Sequence, residues 1–205
     1  MTAGAGALPG AAAASTRRLP SGKHGLSREA VEDSQRVRML DAMAREVAAR
    51  GFGGTSVRHV VSAAGVSRKT FYEHFANKTA CFLALYDEML ALLRARARDA
   101  AASEADVTRR AQASVRALVE SMEEEPGLVR VCLTEPFAAG PAAMQRYWRL
   151  LQLIEGLLEG ASWSRSTVPS EVIAGGIAVE LVRRFTTGSS QPLDEILRAL
   201  APDRP

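Results

Sequence analysis

The chain of 205 residues is 47% hydrophobic and 24% charged, the make-up of a globular protein with enough mass for one or two cores. No run approaches the roughly 18 apolar residues needed to cross a bilayer, and two widely spaced cysteines, Cys81 and Cys132, encode neither a disulfide framework nor a metal site. The net charge of +3 hides an asymmetry: residues 1–78 carry twelve Arg or Lys against six Asp or Glu, and the remainder fourteen against seventeen, which points to a polyanion partner for the first part alone.

Residues 1–27 are rich in Gly, Ala, Ser and Pro, lack hydrophobic periodicity and read as a disordered arm. Arg17, Arg18, Lys23 and His24 make it basic, suited either to phosphates and a minor groove or to plain solvation. Its alanine run, Ala11 to Ala14, is too short and too weakly apolar for the core of a signal peptide, so a cytoplasmic protein is expected. From Ser27 the pattern turns helical, with Val37, Leu40, Ala44 and Val47 forming one apolar stripe. Gly51 and Gly53-Gly54 end this helix. Thr55 and Ser56 can cap a short second helix in which Val57, Val60, Val61 and Ala64 face inward. Gly65 stops it, and Ser67 can cap a third helix that runs to about Phe75. Asn77 then opens a long helix, through Phe82, Leu85, Met89 and Leu92 to about Ala101.

Everything beyond residue 105 also reads as helix. Segments are expected from about Val107 to Glu123, stopping before Pro126-Gly127, from Leu128 to Phe137, and from Ala142 to Leu158. Gly160 and the Ser-rich stretch near Trp163 break the pattern. A further helix starts after Pro169 and ends at Gly188. The last, about Pro192 to Leu200, places Asp194 and Glu195 early and Arg198 late, in keeping with the helix dipole. No alternating β pattern is present, so the expected fold is all-α, with roughly nine helices.

The informative stretch is Thr55 to Phe75. Two short helices around a tight Gly-containing turn have the geometry of a helix-turn-helix. Gly65 supplies the positive φ of the turn, and Val66 plugs the space between the helices. Phe71 and Phe75, at i and i+4, anchor the third helix inward. At 100° per residue, Lys69 and Glu73 then point outward with Thr70 and Tyr72 on the flanks. Arg68 and Lys69 occupy the first turn, the end that meets base edges in such motifs, and cations and hydroxyls there suit guanine and phosphate acceptors. Glu73 is the odd member, able to accept from cytosine N4 or to repel wrong sequences.

Residues from about Gln35 to Asp87 closely resemble the DNA-binding domain of TetR-type repressors. The likeness rests on Gly51-Phe52, Thr55-Ser56-Val57, Ala64-Gly65-Val66-Ser67, Thr70-Phe71-Tyr72-Glu73-His74-Phe75 and Asn77-Lys78, about a quarter of the chain. The resemblance implies contacts from Ser67, Arg68, Lys69, Thr70, Tyr72 and His74 on the recognition helix. It also implies backbone contacts from Thr55, Ser56 and Arg58, and a phosphate held by Lys78 beside the helix dipole. Lys69 departs from the family, which often has Gly or another small residue there. Residues 28–80 are accordingly expected to bind a double-stranded DNA operator.

For residues 81–205 the resemblance implies a larger helical domain that forms a homodimer through its last two long helices and encloses a small-molecule site. Gly175-Gly176 permits close helix contact or a local break. An apolar or amphipathic effector is expected, with Met89, Met122, Cys132, Phe137, Met144, Tyr147 and Trp148 as candidate lining residues; the same residue types also make ordinary core. The composite expectation is a dimeric repressor of a near-palindromic operator, released by ligand. An activator, a ligand-independent regulator and a helical adaptor using the motif as scaffold are the competing readings. An enzyme is not expected: His24, His59 and His74 all precede the larger domain, which has no Gly-rich phosphate loop or paired carboxylates, and no cofactor is called for.

Overall fold

The computed structural model describes residues 28–158 and 168–188. These contain nine α-helices and one π-helical turn, with no strand among the described residues. The fold is all-α. The expected basic arm at residues 1–27, the break near Trp163 and the helix at 192–200 lie outside the described residues. The chain divides into two compact units, the first ending at Met89 and the second beginning at Leu90.

In the first unit, α1 (Arg28–Gly54) turns non-helical at Gly51, where φ is 74° and ψ 166°. Met39, Leu40, Met43, Ala44 and Val47 are buried along one face. Val37, expected in that stripe, is 57% exposed. Periodicity identifies the face of a helix but not how far along it a partner reaches, and full burial begins at Met39. Helix α2 (Val57–Ala64) starts at a reciprocal cap: Ser56 Oγ accepts the His59 N–H and His59 Nδ1 accepts the Ser56 N–H, both at 3.3 Å. It ends at Gly65 in the left-handed region, φ 63° and ψ 39°, and the Arg38 guanidinium donates to the Ala64 carbonyl at 3.1 Å. Val57 is half-buried rather than core. Helix α3 (Arg68–His74) follows after the three residues Gly65, Val66 and Ser67. Asn77 Oδ1 then accepts the Ala80 N–H at 2.8 Å at the head of α4 (Lys78–Ala101), within which the division between units falls.

In the second unit, Asp106 caps α5 (Val107–Glu124) by accepting the Arg109 N–H at 2.9 Å. The single helix expected over 128–137 is three pieces: α6 (Pro126–Val129), a π-turn (Arg130–Thr134) and α7 (Pro136–Ala139). Pro126 opens a helix instead of ending one, since the first helical position needs no N–H donor. Pro136 explains the π-turn. It cannot donate to the Cys132 carbonyl one turn back, so the chain widens and the Glu135 N–H bonds to Arg130 O, five residues earlier, at 2.9 Å. Helices α8 (Pro141–Leu158) and α9 (Ser170–Thr187) pack together; Leu150 and Ile154 are buried on the first, and Ile173, Ile177 and Leu181 on the second. Gly175-Gly176 neither breaks nor ends α9. A Cβ at Gly175 would meet no atom within 4 Å. No helix among the described residues is long and apolar enough to cross a membrane.

Candidate nucleic-acid interface

The recognition helix is built from its buried side outward. Phe71 and Phe75 are buried, with ring centroids 5.6 Å apart, and Tyr72 stands edge-on to Phe71 at 5.5 Å. Ser67 Oγ accepts the Thr70 N–H at 3.0 Å and pairs with Thr70 Oγ1 at 2.9 Å, fixing the first turn. With that face pinned, Arg68, Lys69, Tyr72 and Glu73 are exposed, and Thr70 and His74 are half-buried on the flanks. The Lys69 side chain is 87% exposed and lies 3.9 Å from the Glu73 carboxylate one turn on. A contact that long and that open to water holds the ammonium only weakly, so Lys69 is able to turn toward a stronger anion. Arg58 is exposed on α2, and Ser56, half-buried, is engaged in the cap.

Two residues have inward tasks. Thr55 is 2% exposed, and its hydroxyl donates to the Gly51 carbonyl at 2.8 Å, closing the turn after α1. Its side chain therefore faces the interior and not the outer surface on which a DNA backbone would lie. Lys78 donates to Phe52 O at 2.7 Å and Thr55 O at 2.8 Å, two of the three N–H bonds of an ammonium, and sits 4.0 Å from the Phe52 ring centroid. Burial lowers its pKa from the usual lysine value. It is a strut between the end of α1 and the start of α4. Arg36 acts similarly, pairing with Glu88 at 3.0 Å and lying 5.6 Å from the Phe75 ring centroid. Sequence reasoning missed Arg36 and Arg38, whose partners in these contacts are 26 to 52 residues away.

The family model for bacterial regulatory proteins of the tetR family matches residues 39–85, the span that holds this helix-turn-helix and Lys78. Over that span, a little under a quarter of the chain, the sequence matches the tetR family. The matched residues are those of a DNA-binding domain of bacterial regulatory proteins. Solved structures share the fold of the chain. The fatty acid degradation regulator FadR of Bacillus halodurans aligns at 16% identity and a TM-score of 0.67, covering 82% of this chain and 92% of its own. FadR of Bacillus subtilis, solved in complex with stearoyl-CoA, gives 17% identity and 0.68, with 80% and 97% covered. A TetR family regulator from Marinobacter aquaeolei VT8 gives 23% identity and 0.63, with 84% and 94% covered. No curated protein sequence matches the chain.

The candidate ligand residues are scattered in character. Met89 closes the first unit and is buried, as are Met122 and Cys132 in the second. Met144 and Tyr147 are half-buried, while Phe137 and Trp148 are 65% and 55% exposed, each with its ring centroid 5.4 Å from that of Tyr147. Trp148 faces outward because the period of α8 places it off the buried positions Ala143 and Leu150, and Phe137 lies on α7 next to the buried Pro136. The second unit holds a cavity of about 330 Å³ lined by Met122, Glu123, Pro126, Val129, Leu181, Arg184 and Phe185. Of the seven candidates, Met122 alone is among its described lining residues. Among the described residues, no group of three or more His, Cys, Asp or Glu side chains is placed to hold a metal ion.

Proposed function

We propose that the protein is a homodimeric repressor that binds a near-palindromic operator and is released by a small amphipathic ligand. The outward face of α3 carries this reading: Arg68, Lys69 and Tyr72 project from a helix whose other side is locked by Phe71 and Phe75. A short, rigidly seated helix presenting two cations and a phenol matches the needs of major-groove recognition. Ser67, Thr70 and His74 border that face, Ser56 and Arg58 approach the backbone, and Lys78 keeps one N–H for a phosphate. Residues 28–80 act as the DNA-binding part, and residues 81–205 as the regulatory and dimerising part. Support for a second copy comes from α9, whose Val172 and Val179 are 58% and 68% exposed, two helical turns apart on one side. Support for an amphipathic ligand comes from the cavity in the second unit and from the stearoyl-CoA bound by the Bacillus subtilis relative. Ligand acts by population shift, favouring a state whose two recognition helices no longer fit successive grooves ~34–36 Å apart.

The test is titration of the protein against its own upstream intergenic DNA at ~150 mM salt with excess competitor DNA. Two protomers should saturate one short inverted repeat. Lys69→Ala and Tyr72→Ala should each weaken binding by about tenfold or more at unchanged thermal stability. Undiminished operator binding by both variants would sink the assignment of this face.

A further inference from the structure

The cavity in the second unit has walls of hydrocarbon from three helices: Met122 on α5, Pro126 and Val129 on α6, and Leu181 and Phe185 on α9. Its two charged lining residues, Glu123 on α5 and Arg184 on α9, are ion-paired to each other across 61 residues of chain. The pair is lopsided. The Arg184 side chain is 9% exposed and the Glu123 side chain 46%. Arg184 is also held from within its own helix, with Nε 3.3 Å from Glu180 Oε1, and Glu180 is at the same time gripped by Arg183 at 2.6 and 2.7 Å.

This asymmetry decides which ligand charge the cavity accepts. A carboxylate entering it can take over Arg184 while Glu123 turns into water, which costs little for a half-exposed side chain. A ligand cation would have to take Glu123 from Arg184, a buried guanidinium whose tie to Glu180 is shared with Arg183, which is more expensive. The volume lies at the lower end of the roughly 300–1,000 Å³ typical of small-molecule sites, so the apolar body must be compact. We infer that the cavity between α5, α6 and α9 is a binding site for a compact amphipathic carboxylate, which exchanges with Glu123 for Arg184. Occupancy undoes the tie between α5 and α9 three residues before Pro126 opens α6, giving the ligand a handle on helix packing. The inference deepens the ligand-released reading above and rests on it for its regulatory meaning.

Calorimetry on the full-length protein, without DNA, tests the site with octanoate, octanamide and octylamine. Octanoate should bind, octanamide at least tenfold more weakly, and octylamine not detectably. Glu123→Gln removes the competing carboxylate and should tighten octanoate severalfold. Arg184→Gln should weaken it at least tenfold; should that variant fail to fold, Glu123→Gln decides alone. Absence of octanoate binding, equal affinity for octanamide, or an unchanged constant in Glu123→Gln overturns the site. A parallel operator titration separates the two readings: loss of operator binding in ligand-free protein defeats the DNA assignment, whereas operator affinity unmoved by saturating octanoate defeats the carboxylate as the releasing ligand.

Discussion

Cys81 and Cys132 sit where burial pushes a thiol up from 9.0 to about 12, in Cys81 against the opposing pull of the Arg36 guanidinium. A thiol whose folded pKa lies above its unfolded one contributes fully below the unfolded value. That contribution is lost as pH climbs from 9.0 toward 12, because the unfolded chain ionises first. The denaturation midpoint should therefore be insensitive to these thiols up to pH 9.0 and fall above it, and Cys132→Ala should flatten that fall. At about pH 8 both thiols should resist alkylation until the chain is unfolded, as mass spectrometry would read; rapid modification of native protein would contradict their burial. At this scale residue type was a good guide where a side chain acts on its near neighbours. Phe71 and Phe75 are buried and Gly65 has positive φ, as the sequence indicates. It gave no sign of the inward bonds of Thr55 and Lys78, whose side chains look free to meet phosphate in any reading of residue type. The carbonyls that Lys78 serves lie 23 and 26 residues away, and no local pattern points to them.

The helix-turn-helix depends on two devices at the ends of α2, the reciprocal Ser56–His59 cap and the left-handed Gly65. Ser56→Ala removes an acceptor for a terminal N–H and should destabilise the protein by about 1 kcal/mol. Gly65→Ala leaves room for the methyl, since the nearest atom to a Cβ there is 3.7 Å away, yet forces an L side chain into the left-handed region at a cost of roughly 1–2 kcal/mol. Chemical denaturation would measure both, and a neutral Gly65→Ala would show that the turn relaxes. Helix starts and stops were legible wherever a cap or glycine marks them, as at Ser56, Ser67, Asn77 and Gly188. They were not legible between Pro126 and Pro136. The same residue ends a helix from inside and opens one at its first position, and hydrophobic period does not distinguish an α-turn from the π-turn that Pro136 imposes.

At the scale of the whole molecule, the proposed dimer rests on α9. A helix side bearing Val172 and Val179, exposed in the single chain, is the natural place for the second copy. Val179→Glu puts a charge at the most exposed of these positions and should halve the mass seen by sedimentation equilibrium, with loss of saturable two-protomer binding to the inverted repeat. A dimer unaffected by this change would move the interface elsewhere. Helical class, the helix-turn-helix and the outward face of α3 could be read from the chain alone, because each follows from interactions within one or two helical turns and from a motif contiguous in sequence. The inward roles of Thr55 and Lys78, the broken helix before α8 and the cavity with its lopsided ion pair required the folded chain. They arise from groups as far as 61 residues apart, and the period of a helix says which face is apolar but carries nothing about which distant helix, or which opposite charge, will come to lie against it.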